Sequence, residues 1–572
     1  MKPHFLFMKQ SYFLDSPDTY KIIPTELSKS AAPAPVLPVT YNWPLLWWAI
    51  IGVGIFLRLF HLFDNRSLWN DEVFLTSSLL KTGFIDLVST PLDYQQKAPI
   101  GFLWVVRLLV LLLGKSEMVL RLFSLLCGIA SLFVFVPVAR YFLKPTGVAI
   151  ALAILAIAPP VIYHAVEIKQ YSADLLATIV ILWLYIRYHA RATWQSLLQW
   201  GLLGFSINLF SYSAIFILAG MAGSLGLWYI YQNKWSLLFR SVPTFFMWLA
   251  GFVVSYYLLS YKYPDSEWLM IYFRNEESFM PLLPTSLTEV SWFLKKLFSI
   301  VHYPLGLDWT DRPPAAYNVV LRTMMRMVLL PVLFLSIGLV YFFRKDKQNF
   351  MVLTFPIVLT LLASAFEFYP VLDRLILFWS PLLIILIAQG CYKSTNFIST
   401  TNKWRYVLPF LLLAPALANS AIQVVNPALF GGWKKSFQRE SLFYIKDKFK
   451  PGDIVYVYWN NVPNYRVYQD MYNLKLDAVE GSDVRFISQD VNDFFKKLEP
   501  DYKHFSGKKR VWLIHNKLAD VNMGDIPFKP DWYFAKVAET EIIRDKFSEL
   551  GKLIDSYQTS DVNVYLYDLT AK

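Results

Sequence analysis

Asp71 and Glu72 are adjacent carboxylates in Arg66-Ser67-Leu68-Trp69-Asn70-Asp71-Glu72, the first polar segment behind the first long apolar run. An acid pair at the end of a membrane helix has two readings. It is either a solvated loop whose carboxylates face water, or a catalytic carboxylate held at the membrane surface, where a lipid-borne substrate presents its headgroup. A carboxylate of the second kind takes the proton of an attacking hydroxyl. Further on, His164-Ala165-Val166-Glu167-Ile168-Lys169-Gln170-Tyr171-Ser172-Ala173-Asp174 sets a lysine between two acids at the mouth of two apolar runs. Such a cluster either caps helix ends or meets a charged substrate. Asp373-Arg374 is a charge pair just before a late apolar run, and Arg58 sits near the outer end of the first one. An arginine there either snorkels to the interface or faces a polar cavity.

The elements that must position these residues are membrane helices. The 572 residues are 56% hydrophobic and 17% aromatic, with mean hydropathy +0.39, and so much apolar surface must be buried in lipid as well as in the protein itself. Net charge is +12, and its distribution along the loops matters more than its total. Cys127 and Cys391 are the only cysteines and both lie in apolar runs, which excludes a disulfide framework and a thiol metal site. The first apolar run starts near residue 43, too late for an ordinary cleaved signal peptide, and reads as a retained helix.

Leu45 to about Leu62 is long enough to span a bilayer. The next apolar segment, residues 98–113, holds only about sixteen residues with Arg107 near the middle, marginal for a span. Placing it in the outer interface puts Arg140 and Lys144 inside, together with the basic residues of every later inside loop, as positive-inside bias requires. Further spans then fall near 118–139, 147–163, 172–188, 197–212, 214–231, 241–260, 319–342, 350–367, 372–391 and 405–422, about eleven in all. The expected organisation is a cytoplasmic tail and Pro-rich linker over 1–42, a membrane domain over 43–425 and an extracytoplasmic α/β domain over 426–572. The membrane domain carries extracytoplasmic loops at about 63–117 and 262–318. In the last domain, strands are expected at 454–459, 509–515 and 562–567, with helices at 491–498 and 541–549. It shows no Gly-rich phosphate loop, metal-ligand spacing or nucleophile elbow.

Leu68-Trp69-Asn70-Asp71-Glu72 after the first span resembles the Asp-Glu motif of the GT-C membrane glycosyltransferases, which include the protein O-mannosyltransferases and lipid A aminoarabinose transferases. Lys97-Ala98-Pro99 resembles their His-Pro-Pro or Lys-Pro element in the same outside loop. Glu167-Ile168-Lys169-Gln170-Tyr171 is similar to their Glu-x-Arg-x-Tyr element with lysine for arginine, and Asp373-Arg374-Leu375 resembles a late Arg-Tyr element. The resemblance covers roughly residues 45–390, and motif order and loop placement carry it.

That resemblance implies a polytopic α-helical membrane enzyme of GT-C type, multi-pass in the cell (inner) membrane. Its donor is a polyprenyl-phosphate-linked sugar, its acceptor a glycan, lipid or protein on the outer side, and transfer inverts the anomeric carbon. A lipid phosphate is already a good leaving group, so one carboxylate base suffices where a glycosidase needs two. On this reading Asp71 is the base and Glu72 orients it or binds acceptor. Lys97, Lys169, Arg58 and Arg374 pair with the donor phosphate, and Glu167, Tyr171 and Asp174 contact substrate. No cofactor and no nucleic-acid partner is expected. Carboxylates of Asp71, Glu72 and Glu167 could hold Mg²⁺ or Mn²⁺, but related transferases are commonly metal-independent. The alternative is a secondary transporter or lipid flippase with charges lining its pathway. Against it, the sequence has no internal repeat, and its ionisable residues collect at outer helix ends.

Overall fold

The computed structural model describes residues 44–191, 193–260, 267–309, 329–398, 406–517 and 539–570. The expected tail over 1–42 and parts of the 262–318 loop lie outside the described residues. Helix α1 (Leu45–Asp64) has 20 residues, about 30 Å at 1.5 Å per residue, the thickness of a hydrocarbon core. Among the described residues, eight helical segments are long and apolar enough to cross a membrane. A ninth candidate is a broken one: Pro145–Ile157 and Pro159–Ala165 meet at 55°. Pro159 and Pro160 cannot donate to the preceding turn, so the helix breaks where they stand. Two shorter helices, Trp194–Asn208 and Leu329–Lys345, fall on the two remaining expected spans. Each of the eleven expected segments therefore meets a helix. The protein is an integral, multi-pass membrane protein.

Small residues let the spans close up. A Cβ at Gly338 would collide with the Leu386 carbonyl, and one at Gly390 with the Phe334 carbonyl. Helices Leu329–Lys345 and Ser380–Ile398 thus touch backbone to backbone at two glycines, one on each.

Outside the spans, helix α2 (Asn70–Lys81) and helix α3 (Ile100–Leu113) pack under the polar loops. The 14 residues of α3 rise about 21 Å, too short to cross a bilayer. Its start is pinned to another span: the Gly101 amide donates to the Leu209 carbonyl at 2.8 Å, and Tyr212 donates to the Ala98 carbonyl at 2.7 Å. Arg107, unwelcome in a lipid-facing span, donates to the Leu79 and Leu80 carbonyls, both at 3.0 Å. It neutralises the C-terminal end of α2.

Beyond the last span (Val407–Val425) the chain forms a five-stranded sheet with strand order β2-β1-β3-β5-β4. The strands are β1 (Ile454–Val457), β2 (Ala478–Glu480), β3 (Arg510–Asn516), β4 (Lys552–Gln558) and β5 (Val562–Asp568). β1 pairs parallel with β2 and β3, while β5 pairs antiparallel with β3 and β4. Side chains alternate between two cores, as the period of a strand demands. Ile454, Tyr456, Leu513 and Tyr567 pack on Phe494 and Phe547. On the other face, Val455, Val457, Trp512 and Val564 join Leu68, Val73, Leu79 and Phe102 in one continuous core. Leu45–Lys572 is accordingly one compact unit, with the sheet seated on the loop that carries Asp71.

Candidate active site

Asp71 lies in the first turn of α2, where the helix N-terminus favours a negative charge. Its carboxylate meets Arg374 at 2.9 Å, and the two side chains keep 17% and 37% of their surface exposed. Arg374 enters from the 3₁₀ turn Asp373–Trp379, which leads into the helix Ser380–Ile398. The turn opens at Asp373 with φ +31°, a conformation few non-glycine residues adopt. The guanidinium lies 5.3 Å from the Trp69 ring centre and 5.8 Å from that of Tyr171. Residues 303 positions apart in sequence thus form one charged mouth over two aromatic rings. Lys169 stands in the field of Asp71 and donates to Gln96 at 2.5 Å. Lys97 follows Gln96 in the chain and is half-buried. Burial pulls both ammonium groups below the usual lysine range.

Glu72, one residue on, is buried completely. Arg121, in the helix Glu117–Phe142, holds it as a fork, Nε to Oε1 at 2.9 Å and the second nitrogen to Oε2 at 2.8 Å. The Ile168 amide adds a bond to Oε1 at 3.0 Å. Arg121 also donates to the Arg66 carbonyl at 2.8 Å. Of the two roles expected for Glu72, this geometry supports orientation of the loop and leaves no face for an acceptor.

Glu167 is the second buried acid. The Trp69 indole N–H reaches Oε1 at 3.0 Å, and His164 Nδ1 lies 2.5 Å from Oε2. The other imidazole nitrogen meets the hydroxyl of Tyr303, just beyond the helix Leu287–His302. Burial pushes the Glu167 carboxyl up, but His164, with Arg374 and Arg66 beyond it, outweighs burial and holds it below the usual carboxylate range. Glu167 therefore fixes Trp69, and Trp69 forms the floor under Arg374.

The structure brings together Asp71, Arg374, Glu167, Tyr171 and Lys169 of the sequence-expected residues. Two stand apart. Arg58 is buried inside the bundle and donates to the carbonyls of Gly54, Leu155 and Ala156. Asp174 sits one turn into its helix, against Ser211 and Ser213. Sequence reasoning missed Arg121, His164 and Tyr303 as partners of the acids. The His164–Glu167 spacing of three was the one local signal: the chain leaves the helix at Ala165 and turns Glu167 back onto His164. Among the described residues no group of three His, Cys, Asp or Glu side chains is placed to hold a metal ion.

No protein-family model and no curated protein matches the sequence. Solved structures do resemble the chain. ArnT from Cupriavidus metallidurans bound to undecaprenyl phosphate aligns over 91% of this chain and 97% of its own, at 14% identity and a TM-score of 0.50. The apo form of that protein gives the same score over 92% and 98%. The Archaeoglobus fulgidus oligosaccharyltransferase, in complex with zinc and sulfate, reaches 0.47 at 10% identity, over 82% of this chain and 67% of its own. The first two likenesses run nearly end to end on both chains. The chain has the fold of the GT-C membrane glycosyltransferases.

Proposed function

We propose that the protein transfers a sugar from a polyprenyl-phosphate carrier to an acceptor hydroxyl at the extracytoplasmic face of the cell membrane, with inversion and with Asp71 as the base. The observation that carries this reading is the partly exposed Asp71–Arg374 pair over Trp69 and Tyr171, with Lys169 in its field. An arginine fork suits a phosphate as well as a carboxylate. A donor phosphate entering the mouth competes for Arg374 and frees the Asp71 carboxylate to face the acceptor. The acceptor oxygen then attacks the anomeric carbon from the side opposite the phosphate, and its proton passes to Asp71. The bond between that carbon and the phosphate oxygen breaks, and the electron pair leaves on the lipid phosphate. Arg374, Lys169 and Lys97 supply the positive charge that the leaving group needs. Glu72 and Glu167 hold the segment and the indole that frame this mouth.

The reading is tested with purified protein and a series of labelled polyprenyl-phosphate sugars, following the label into lipid, glycan and protein fractions. Transfer that disappears in Asp71→Asn supports it; equal transfer by that variant refutes the base. Sidedness is checked separately. Ser89, Ser286 and Ser560 are exposed, and cysteines placed there should react with an impermeant thiol reagent in intact cells. A cysteine at Arg191, exposed between two spans on the expected inner side, should not. The native thiols Cys127 and Cys391 are both buried and give a low background.

A further inference from the structure

Two cations near the mouth are left without a carboxylate of their own. Lys435 lies in the segment between the last span and the sheet and is half-buried. Among the described residues no carboxylate comes within 4.0 Å of it. Its ammonium donates to the Tyr163 hydroxyl at 3.1 Å and lies 4.5 Å from the Tyr163 ring centre and 4.9 Å from that of Trp69. Arg66 stands on the same Tyr163 ring, at 4.1 Å. The carboxylate nearest to it is Glu72, 4.0 Å away and already committed to Arg121 and the Ile168 amide. One polar atom of this arginine, Nε, is buried with no hydrogen-bond partner.

Both cations line one cavity of about 190 Å³. Two further basic residues at its wall are matched: Lys434 by Glu440 at 2.8 Å, and Arg439 by Glu117 at 2.8 Å. Asp64, the other lining acid, is exposed at the end of α1. Two like charges that share one aromatic ring repel unless something negative sits between them. Burial first, with Arg66 and Arg374 adding to it and Glu167 and Glu72 opposing it, holds the Lys435 ammonium below the usual lysine range.

We infer that this cavity binds an oxyanion, a phosphate or carboxylate group, carried by the acceptor. The inference rests on the proposed glycosyl transfer. The cavity is smaller than the roughly 300–1,000 Å³ of a drug-sized site, so it takes one group and not a whole substrate. Arg66 offers a fork and Lys435 a point charge, a pairing suited to an oxyanion. Trp69 joins the cavity to the mouth: its ring carries Lys435 at 4.9 Å and Arg374 at 5.3 Å. An anion seated beside Lys435 is therefore one side chain away from the Asp71–Arg374 pair. Much of the cavity wall comes from residues 427–440, beyond the last span, the side from which an acceptor outside the bilayer arrives.

The test uses the full-length protein in phosphatidylcholine nanodiscs. In one arm inorganic phosphate replaces chloride at constant ionic strength and the thermal midpoint is read; in the other, the nanodisc contains phosphatidic acid and no phosphate is added. A ligand that binds only the folded state raises the midpoint. Arg374→Gln serves as the background, because it removes the donor-phosphate partner: the rise is expected to persist there, to be lost in Arg374→Gln/Lys435→Gln and to return in Arg374→Gln/Lys435→Arg. A rise with free phosphate identifies a soluble group, and one confined to phosphatidic acid a lipid headgroup; either supports the site. No rise in either arm in the Arg374→Gln background, or a rise there that Lys435→Gln leaves unchanged, overturns it. In the transfer assay Lys435→Gln should raise the acceptor concentration for half-maximal rate about tenfold, the worth of one charged hydrogen bond, with the donor requirement unchanged. An unchanged acceptor requirement removes the acceptor from the inference. Should the protein transfer no sugar at all, the phosphate arm still decides the cavity, so the two failures are told apart.

Discussion

Asp71 and Glu72 are neighbours that each meet an arginine, yet the two pairs are opposite in kind. Successive residues on a helix point about 100° apart, so α2 turns one carboxylate to the mouth and the other into the core. Glu72 and Arg121 are sealed at 0% and 1% exposure, and every oxygen of the acid is bonded to a fixed donor. Asp71 and Arg374 meet by one contact at 2.9 Å, with room around both side chains. A sealed pair cannot change partners without stranding a buried charge. An open pair can, and a reaction that must first bind a phosphate and then accept a proton needs such an exchange. On the proposed function, the Asp-Glu motif is two devices, one for chemistry and one for holding it still.

The comparison breaks most sharply on the two isosteric amides. Asp71→Asn keeps size and most hydrogen bonding but cannot take a proton, so kcat should fall roughly 10²–10⁴-fold with donor binding kept. Glu72→Gln should act the other way round. It leaves the Arg121 guanidinium buried without its counter-charge, a loss of about 3–5 kcal/mol of stability, visible as a lower thermal midpoint in detergent before any assay of turnover. If Asp71→Asn destabilises and Glu72→Gln only slows transfer, the assignment of the two devices is reversed. Arg374→Gln sharpens the open side. With a charge-assisted bond to the donor phosphate lost, the donor concentration for half-maximal rate should rise about 10–100-fold, while stability changes little because the pair is partly solvated. A large stability loss in this variant would make Arg374 a structural partner of Asp71 and nothing more.

Much of this was legible in the chain. Apolar runs placed the long helices because lipid leaves no alternative to a continuous helix, and short polar motifs at helix ends named Asp71, Glu167, Lys169 and Arg374, which the fold brings together. What stayed hidden has physical causes. Arg121 sits inside an apolar run, where nothing local says that a carboxylate of another helix will neutralise it. Tyr303 and His164 are 139 positions apart and meet only once the chain has folded back. Arg58 looked like a phosphate ligand by its position near a helix end, but carbonyls of a neighbouring broken helix take its donors first. In the sheet, the three buried strands announced themselves by hydrophobic runs. β4, an edge strand with exposed and half-buried residues, and β2, three residues long, carry no such run. The seating of the sheet on the Asp71 loop was invisible for the same reason: Lys435, Arg439 and Tyr468 belong to no motif and gain meaning only from what they touch.

That seating supplies the smallest and most discriminating test. The Tyr468 hydroxyl, on the helix Val462–Tyr472, accepts the Leu68 amide at 2.8 Å in a buried setting, three residues before Asp71. Arg439 grips the same stretch at the Asn65 carbonyl, 2.6 Å away. If the sheet only rides on the membrane part, Tyr468→Phe should cost about 1 kcal/mol of stability for one hydrogen bond and leave kcat alone once the protein is folded. If the sheet holds the catalytic loop, kcat should also fall, about fivefold, with donor and acceptor half-saturation unchanged, because a small displacement of the base costs rate without costing binding. Arg466→Ala on the same helix is the control. It removes an exposed ion pair with Glu480, and such pairs contribute little, so neither stability nor rate should move. Tyr468→Phe indistinguishable from that control in rate would make the sheet a passenger, and the role of holding Asp71 would fall to Glu72 and Arg121 alone.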